Sequence, residues 1–186
     1  MKTTVEKRAP KGIVDYVALA LTTFGVGYIP GAPGTYGSII AVIIYLLIAS
    51  FETHASTHGI ASGMQLEQIT AVHWALNAIL LTAFSLAGIW ASGRSIPILG
   101  NSDPSQAVVD ELMGQFVTFL FIPFGASWPF VIAGFLLFRL FDIWKPYPID
   151  DLQILPGGLG ICADDIVAGV YAGICLSFAY AVTLTI

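Results

Sequence analysis

The 186-residue chain carries twelve acidic residues, and eight of them fall between Asp103 and Asp165. Six of these eight form adjacent pairs, Asp110-Glu111, Asp150-Asp151 and Asp164-Asp165, and Asp103 and Asp142 are single. Arg139 and Lys145 flank Asp142 at three-residue steps, so on a helix plus, minus and plus share one face. Carboxylates gathered in this way suit a hard divalent cation, which takes oxygen ligands. They do not suit nucleic acid, which needs a basic face. The two cysteines, Cys162 and Cys175, have no metal-ligand spacing and predict no disulfide.

The elements that must position these groups are greasy. The composition is 56% hydrophobic and 10% charged, with a mean hydropathy of +0.83. Soluble domains carry about 25% charged residues. The expected fold class is therefore an all-α integral membrane protein, a compact bundle of about five transmembrane helices with a polar site at one membrane edge. Residues 1–11 form a basic, flexible N-terminus, and residues 12–186 a single membrane-embedded domain. Apolar runs predict helices at 39–51, 69–92, 112–123, 129–144 and 166–186. The stretch 12–29 is only weakly apolar and contains Asp15, Thr22, Thr23, Gly25 and Gly27. It predicts a re-entrant or interfacial helix. Pro146 ends the helix at 129–144, and Pro148 keeps the following residues extended. A helix end whose Arg and Lys reach toward headgroups explains Arg139 and Lys145 but not Asp142, and charge at such a place marks a site or a pathway.

Between the helices lie turns with their own chemistry. Pro30 to Ser38 holds three glycines and two prolines. It predicts a turn that leaves N–H groups free for an anion, with Ser38 capping the next helix. Ser102 or Asp103 can cap a helix that has Pro104 in its first position, which puts Asp110 and Glu111 in the second turn. Pro156 to Gly160 predicts a second flexible turn, with Asp164 and Asp165 at the start of the last helix. Gly169 and Gly173 lie one turn apart along it and allow a neighbouring helix close. Residues 52–68 predict a polar loop in which His54 and His58 have no metal role. Asp103, Asp150 and Asp151 are expected at the surface or in caps.

If the five helices cross in alternation, the segments at 30–38, 93–111 and 145–165 emerge on one side. The loops at 52–68 and 124–128 emerge on the other and carry no Lys or Arg. The positive-inside rule then makes the acidic side cytoplasmic. Lys2, Lys7, Arg8 and Lys11 agree, provided that residues 12–29 dip in and return.

Four blocks in this order resemble the phosphatidylglycerophosphatase A family. They are Pro33-Gly34-Thr35-x-Gly37-Ser38, Val109-Asp110-Glu111-x-x-Gly114, Phe138-Arg139-x-x-Asp142-x-x-Lys145-Pro146-x-Pro148-Ile149, and Gly157-Gly158-x-Gly160-Ile161-x-x-Asp164-Asp165-x-x-Ala168-Gly169. Together they cover most of the chain, from about residue 25 to 170. The polar loop at 52–68 is the chief departure and lies away from the blocks. The resemblance implies a magnesium-dependent phosphatase of the bacterial inner membrane, multi-pass, with its active site facing the cytoplasm. Its implied substrate is the membrane phospholipid phosphatidylglycerophosphate, converted to phosphatidylglycerol and inorganic phosphate in phospholipid biosynthesis.

The residues fit that chemistry by what is missing as well. No Cys is followed five residues on by Arg, no His falls in a block, and no Asp-x-Asp pair opens the chain. Metal-assisted attack by water remains. Asp110, Glu111, Asp142, Asp164 and Asp165 are the expected ligands of one or two Mg²⁺. Lys145, Arg139, Gly34, Thr35 and Ser38 are the expected phosphate-binding groups. Arg139 has the alternative role of neutralising an acid, and the general base is either Asp165 or Glu111. Two other classes compete. A divalent-cation transporter or channel would use the acids as a filter, although Lys145 and Arg139 would repel its cargo. A CDP-alcohol transferase would need an Asp-Gly-x-x-Ala-Arg signature that is absent.

Overall fold

A computed structural model describes residues 3–123 and 127–185. Among the described residues there are six α-helices and no β-strand: α1 (Gly12–Thr23), α2 (Pro33–Ala61), α3 (Leu66–Leu99), α4 (Val109–Phe119), α5 (Trp128–Trp144) and α6 (Gly158–Thr183). Short 3₁₀ turns fill Val26–Tyr28 and Asp150–Ile154. Residues 124–126, the middle of the break expected before α5, lie outside the described residues, as do Met1, Lys2 and Ile186.

The helix that orders the bundle is the shortest. Nine of the eleven residues of α4 are buried, and α2, α3, α5 and α6 pack around it. Phe119 and Ile122 join Tyr45, Val131 and Leu176 in one core cluster, while Val109 and Met113 join Ile161 and Cys162 in another. Glycine makes the tightest crossing possible. A Cβ on Gly169 of α6 would meet the Gly114 carbonyl of α4, and one on Gly114 would meet the Phe138 ring and the Asp165 carbonyl.

The outer faces are apolar instead of polar. On α2, Ile39, Ile43, Leu47 and Phe51 form an exposed stripe at four-residue steps, and Ile132, Leu136, Leu140 and Ile143 form one along α5 at steps of four, four and three. Helices α2, α3 and α6, with 29, 34 and 26 residues, are long and apolar enough to cross a membrane. Helix α5 has 17 residues and α4 has 11. At 1.5 Å per residue α4 is about 16 Å long, roughly half a hydrocarbon core of about 30 Å. Helix α1, at about 18 Å, is too short to cross as well.

The helices run further than hydropathy predicts. The expected loop at 52–68 is helical to Ala61 and again from Leu66, leaving four residues between. The helix accommodates the polar residues there because their hydroxyls find acceptors on its own carbonyls. Thr53 donates to the Ala49 carbonyl, Ser56 to that of Glu52, and Ser62 to that of His58. His54 and His58 therefore lie on a helix, ring to ring at 4.7 Å. Helix α2 begins at Pro33, not after Ser38; Ser38 caps nothing and donates instead to the Gly34 carbonyl at 3.0 Å. Helix α3 continues past Arg94 and through Pro97 to a left-handed Gly100. Helix α4 starts at Val109 without a side-chain cap, so neither Ser102 nor Asp103 caps it, and Asp110 and Glu111 stand in its first turn instead of the second. Helix α6 starts at Gly158, which moves Asp164 and Asp165 into its second turn.

The N-terminal segment is hydrogen-bonded along the end of α3. Val5 N donates to the Gly100 carbonyl and Arg8 N to that of Pro97. Asp15, fully buried, accepts from Arg8 at 2.5 Å, from Arg94 at 2.7 Å and from Lys11 N at 2.7 Å. The Arg8 guanidinium, then the Lys11 amide, hold the Asp15 carboxyl well below the usual carboxylate range. A depressed pKa stabilises the folded state fully above the unfolded value of about 3.9 and loses that effect as pH falls.

Two predictions follow from this packing. Gly169→Leu should force α4 and α6 apart, costing about 1–3 kcal/mol and lowering the unfolding temperature. Asp15→Asn should lower the unfolding temperature at neutral pH, and the gap from the unaltered protein should narrow as pH falls below about 4. Thermal melts in detergent measure both.

Candidate metal and phosphate site

Four helix ends meet at one edge of the bundle: the starts of α2, α4 and α6 and the end of α5. The first turn of α4 contributes Asp110 and Glu111, the second turn of α6 contributes Asp165, and one carboxylate oxygen from each lies within 4.8 Å of the other two. Asp110 and Asp165 are buried and Glu111 is half-buried. The Gly114–Gly169 crossing sets this convergence, because it holds the two helices at backbone contact one turn below.

The other two expected ligands stand beside this trio and are engaged by cations. Arg139 Nη1 donates to Asp142 Oδ2 at 2.5 Å. Lys145 donates to Asp164 Oδ2 and lies 3.8 Å from Asp142 Oδ1. The Arg139–Asp142 contact is the one that a neutralising role requires. Burial works against the ammonium of Lys145, but Asp165, Asp164 and Asp142 outweigh it and raise its pKa above the ordinary value. Lys145 is therefore a cation at any physiological pH. Its left-handed conformation, φ 47°, ends α5 and turns the chain away after Trp144.

The start of α2 closes the site. A Cβ on Gly34 would run into Glu111 Oε1 and come within 3.2 Å of Arg139 Nη1. Only glycine lets the backbone come this near. The first intrahelical bond of α2 runs from Tyr36 N to the Ala32 carbonyl, so the helix leaves the N–H groups of Gly34 and Thr35 unused. They are donors at a positive helix end, next to the acids. Ser38 is buried one turn deeper with its hydroxyl directed at Gly34 O.

The donor set fits a divalent cation. Asp110 Oδ1, Glu111 Oε2 and Asp164 Oδ1 are buried without a hydrogen-bond partner. Five carboxylates, were all ionised, would exceed the two side-chain cations by three charges. Buried charge needs a counter-charge, and hard oxygen ligands of this kind suit Mg²⁺.

Two features were not read from the sequence. The Asp15 clasp joins residues 79 positions apart, and nothing local signals it. Gln115, buried in α4 with neither amide atom partnered, did carry a signal: an amide in an otherwise apolar run.

Asp110→Asn and Asp164→Asn should each reduce turnover by at least about 100-fold without preventing folding; full activity in either removes that residue from the site. Gly34→Ala should lower turnover on the order of 10- to 100-fold by displacing the Glu111 carboxylate, while the unfolding temperature stays put because that side chain can move. Phosphate release and a thermal melt on each variant test this.

A profile of the family described as Phosphatidylglycerophosphatase A matches residues 19–180. A Bacteroides thetaiotaomicron protein provisionally named a phosphatidylinositol-3-phosphatase is 38% identical over 85% of this chain and 89% of its own length. Proteins named Phosphatidylglycerophosphatase A from Escherichia coli and Haemophilus influenzae are each 31% identical. The first match covers 83% of this chain and 78% of the relative, the second 86% of both. No solved structure matches the chain. With a family profile that spans all four helix ends of the site, and relatives aligned over most of its length, the chain belongs to the phosphatidylglycerophosphatase A family.

Proposed function

We propose that this protein hydrolyses the terminal phosphomonoester of phosphatidylglycerophosphate to phosphatidylglycerol and inorganic phosphate, with Mg²⁺ as cofactor. The carrying observation is the convergence of Asp110, Glu111 and Asp165 within 4.8 Å, next to Lys145, Arg139 and the open N–H groups of α2. Acids alone would attract a cation. Acids beside fixed cations and a helix N-terminus suit a metal–phosphate pair, which a transporter filter would not need.

The proposed setting is the bacterial inner membrane, crossed several times, with the site at the cytoplasmic edge. The exposed apolar stripes on α2 and α5 support it, because water-soluble helices turn such faces inward. Lys7, Arg8, Lys11, Arg94, Arg139 and Lys145 all belong to the site end of the bundle, and the α2–α3 connection at the other end has no Lys or Arg.

In this reading Asp110, Glu111 and Asp165 hold the metal, with Asp142 and Asp164 set around it. Bound there, the cation supplies Lewis-acid charge to the phosphoryl group. Lys145 and the N–H groups of Gly34 and Thr35 hold the phosphate oxygens. Arg139 either joins them or keeps Asp142 neutralised. Water attacks phosphorus, the bond from phosphorus to the glycerol oxygen breaks, and that oxygen takes up a proton. Asp165 or Glu111, whichever the metal does not fully engage, removes the proton from the attacking water.

A second substrate has one observation in its favour. The Bacteroides relative is named for phosphatidylinositol 3-phosphate, another phosphomonoester on a lipid headgroup. The groups described above touch only the phosphate, which both lipids share.

Purified protein in detergent should release phosphate from phosphatidylglycerophosphate with Mg²⁺ and lose at least about 100-fold of that rate in EDTA. Faster release from phosphatidylinositol 3-phosphate would move the assignment to the second lipid. No release from either, with cation flux into liposomes, would replace the enzyme by a transporter.

A further inference from the structure

We infer that Gln115 is a positioning residue for the acidic centre: its side-chain amide holds a buried water against Glu111 and so fixes the orientation of that carboxylate. The inference rests on the proposed metal site.

Gln115 is fully buried in α4, and neither its Nε2 nor its Oε1 has a partner. A primary amide has two donors and an acceptor oxygen, and leaving them unpaired inside a protein costs more than the amide gains by packing. Something polar must therefore meet it. The neighbours on its own helix decide what. Thr118, the next polar residue toward the C-terminal end, is already committed, bonded to the Gly114 carbonyl at 2.9 Å and lying 3.3 Å from that of Gly169. In the other direction Glu111 stands four residues earlier, on the same face. Helical side chains lean toward the N-terminus, so the Gln115 amide reaches back over the turn that carries Glu111.

Glu111 has one unpaired oxygen of its own. Its Oε1 faces Gly34, and its Oε2 is buried with no hydrogen bond. Two orphaned polar groups one turn apart, without a direct bond between them, describe the place of an ordered water, which needs two to four such partners. The amide can donate to that water and the water to Glu111 Oε2. The carboxylate is then held with Oε1 toward Gly34 and its charge favoured, as a ligand needs.

The test replaces Gln115 by residues of similar shape that lack the amide, Gln115→Met and Gln115→Leu, and titrates purified protein with Mn²⁺, free ion read by electron paramagnetic resonance, without lipid. Each variant should bind Mn²⁺ at least about tenfold more weakly. The metal concentration for half-maximal turnover should rise in step, with lipid KM unchanged and the unfolding temperature unchanged or raised. Unchanged Mn²⁺ affinity, or a fall in unfolding temperature alone, overturns the inference and makes Gln115 a packing residue. No Mn²⁺ binding by the unaltered protein overturns it as well. Weaker binding in the variants of a protein that cleaves neither lipid would support the positioning role and remove the substrate assignment. The unaltered protein gives a check that needs no variant. With glutamine side chains labelled with ¹⁵N, water-edited nuclear magnetic resonance should show the Gln115 amide in contact with a long-lived water, and absence of that contact overturns the inference.

Discussion

The constraint on which the structure depends is an excess of negative charge held away from water. Asp110, Asp164 and Asp165 are buried at the start of two packed helices, with Glu111 half-buried beside them. Two cations cannot balance five carboxylates. The fold softens the imbalance with what it has. Asp110 and Glu111 occupy the first turn of α4, where the helix dipole favours an anion. Lys145 and Arg139 tie Asp164 and Asp142 into a chain of ion pairs. In the function proposed above, the remaining deficit would stabilise a divalent cation and, through it, an anionic substrate. An arrangement that is costly alone becomes favourable once both charges arrive.

Backbone contact is what keeps the acids together in spite of their repulsion. Helix α4 is too short to be anchored by length, so it is anchored on all sides. Gly114 against Gly169 sets its distance from α6, and Gly37 lies against Val108 and Leu112 to set its distance from α2. The core clusters below the site then fix its tilt. The carboxylates are carried by rigid helix starts and not by loops, which makes their separation a property of the whole bundle. A small residue far from any ligand can therefore matter as much to the site as a ligand does.

Much of this was legible in the sequence, and the failures have physical causes. Residue type and spacing pointed to the five acids, to Lys145, and to the glycine of α6 that lets α4 close. The sequence offers Gly34 as a backbone donor for phosphate; that it must also lack a Cβ beside Glu111 is visible only in the structure. Helix limits were misjudged because hydropathy reports contact with lipid, not hydrogen bonding. The end of α2 is polar and still helical, with the hydroxyls of Thr53, Ser56 and Ser62 satisfied by carbonyls of the same helix. The start of α2 was hidden by Pro33, which breaks a helix interior but is at home in the first position. Pro97 was no barrier either, because α3 runs through it before Gly100 ends the helix.

Among the described residues Asp15, Glu52 and the centre at the helix starts are buried acidic places, and the first and last of these separate structure from function. Asp15 has two arginines and a backbone N–H on its carboxylate, at 2.5 to 3.3 Å, and nothing is left over. Such a group is finished; it fastens α1 and the N-terminal segment to α3 and has no capacity for a guest. The centre at Asp110, Glu111, Asp164 and Asp165 keeps three orphaned oxygens although Lys145 and Arg139 are within reach of the group. Unused capacity is costly to bury; Glu52 keeps a single unpaired oxygen as well, but among the described residues only the centre at the helix starts gathers several. Several open oxygens, at the edge where the helix starts also leave N–H groups free, are what the proposed metal and phosphate would use, and the Asp15 clasp has none to offer.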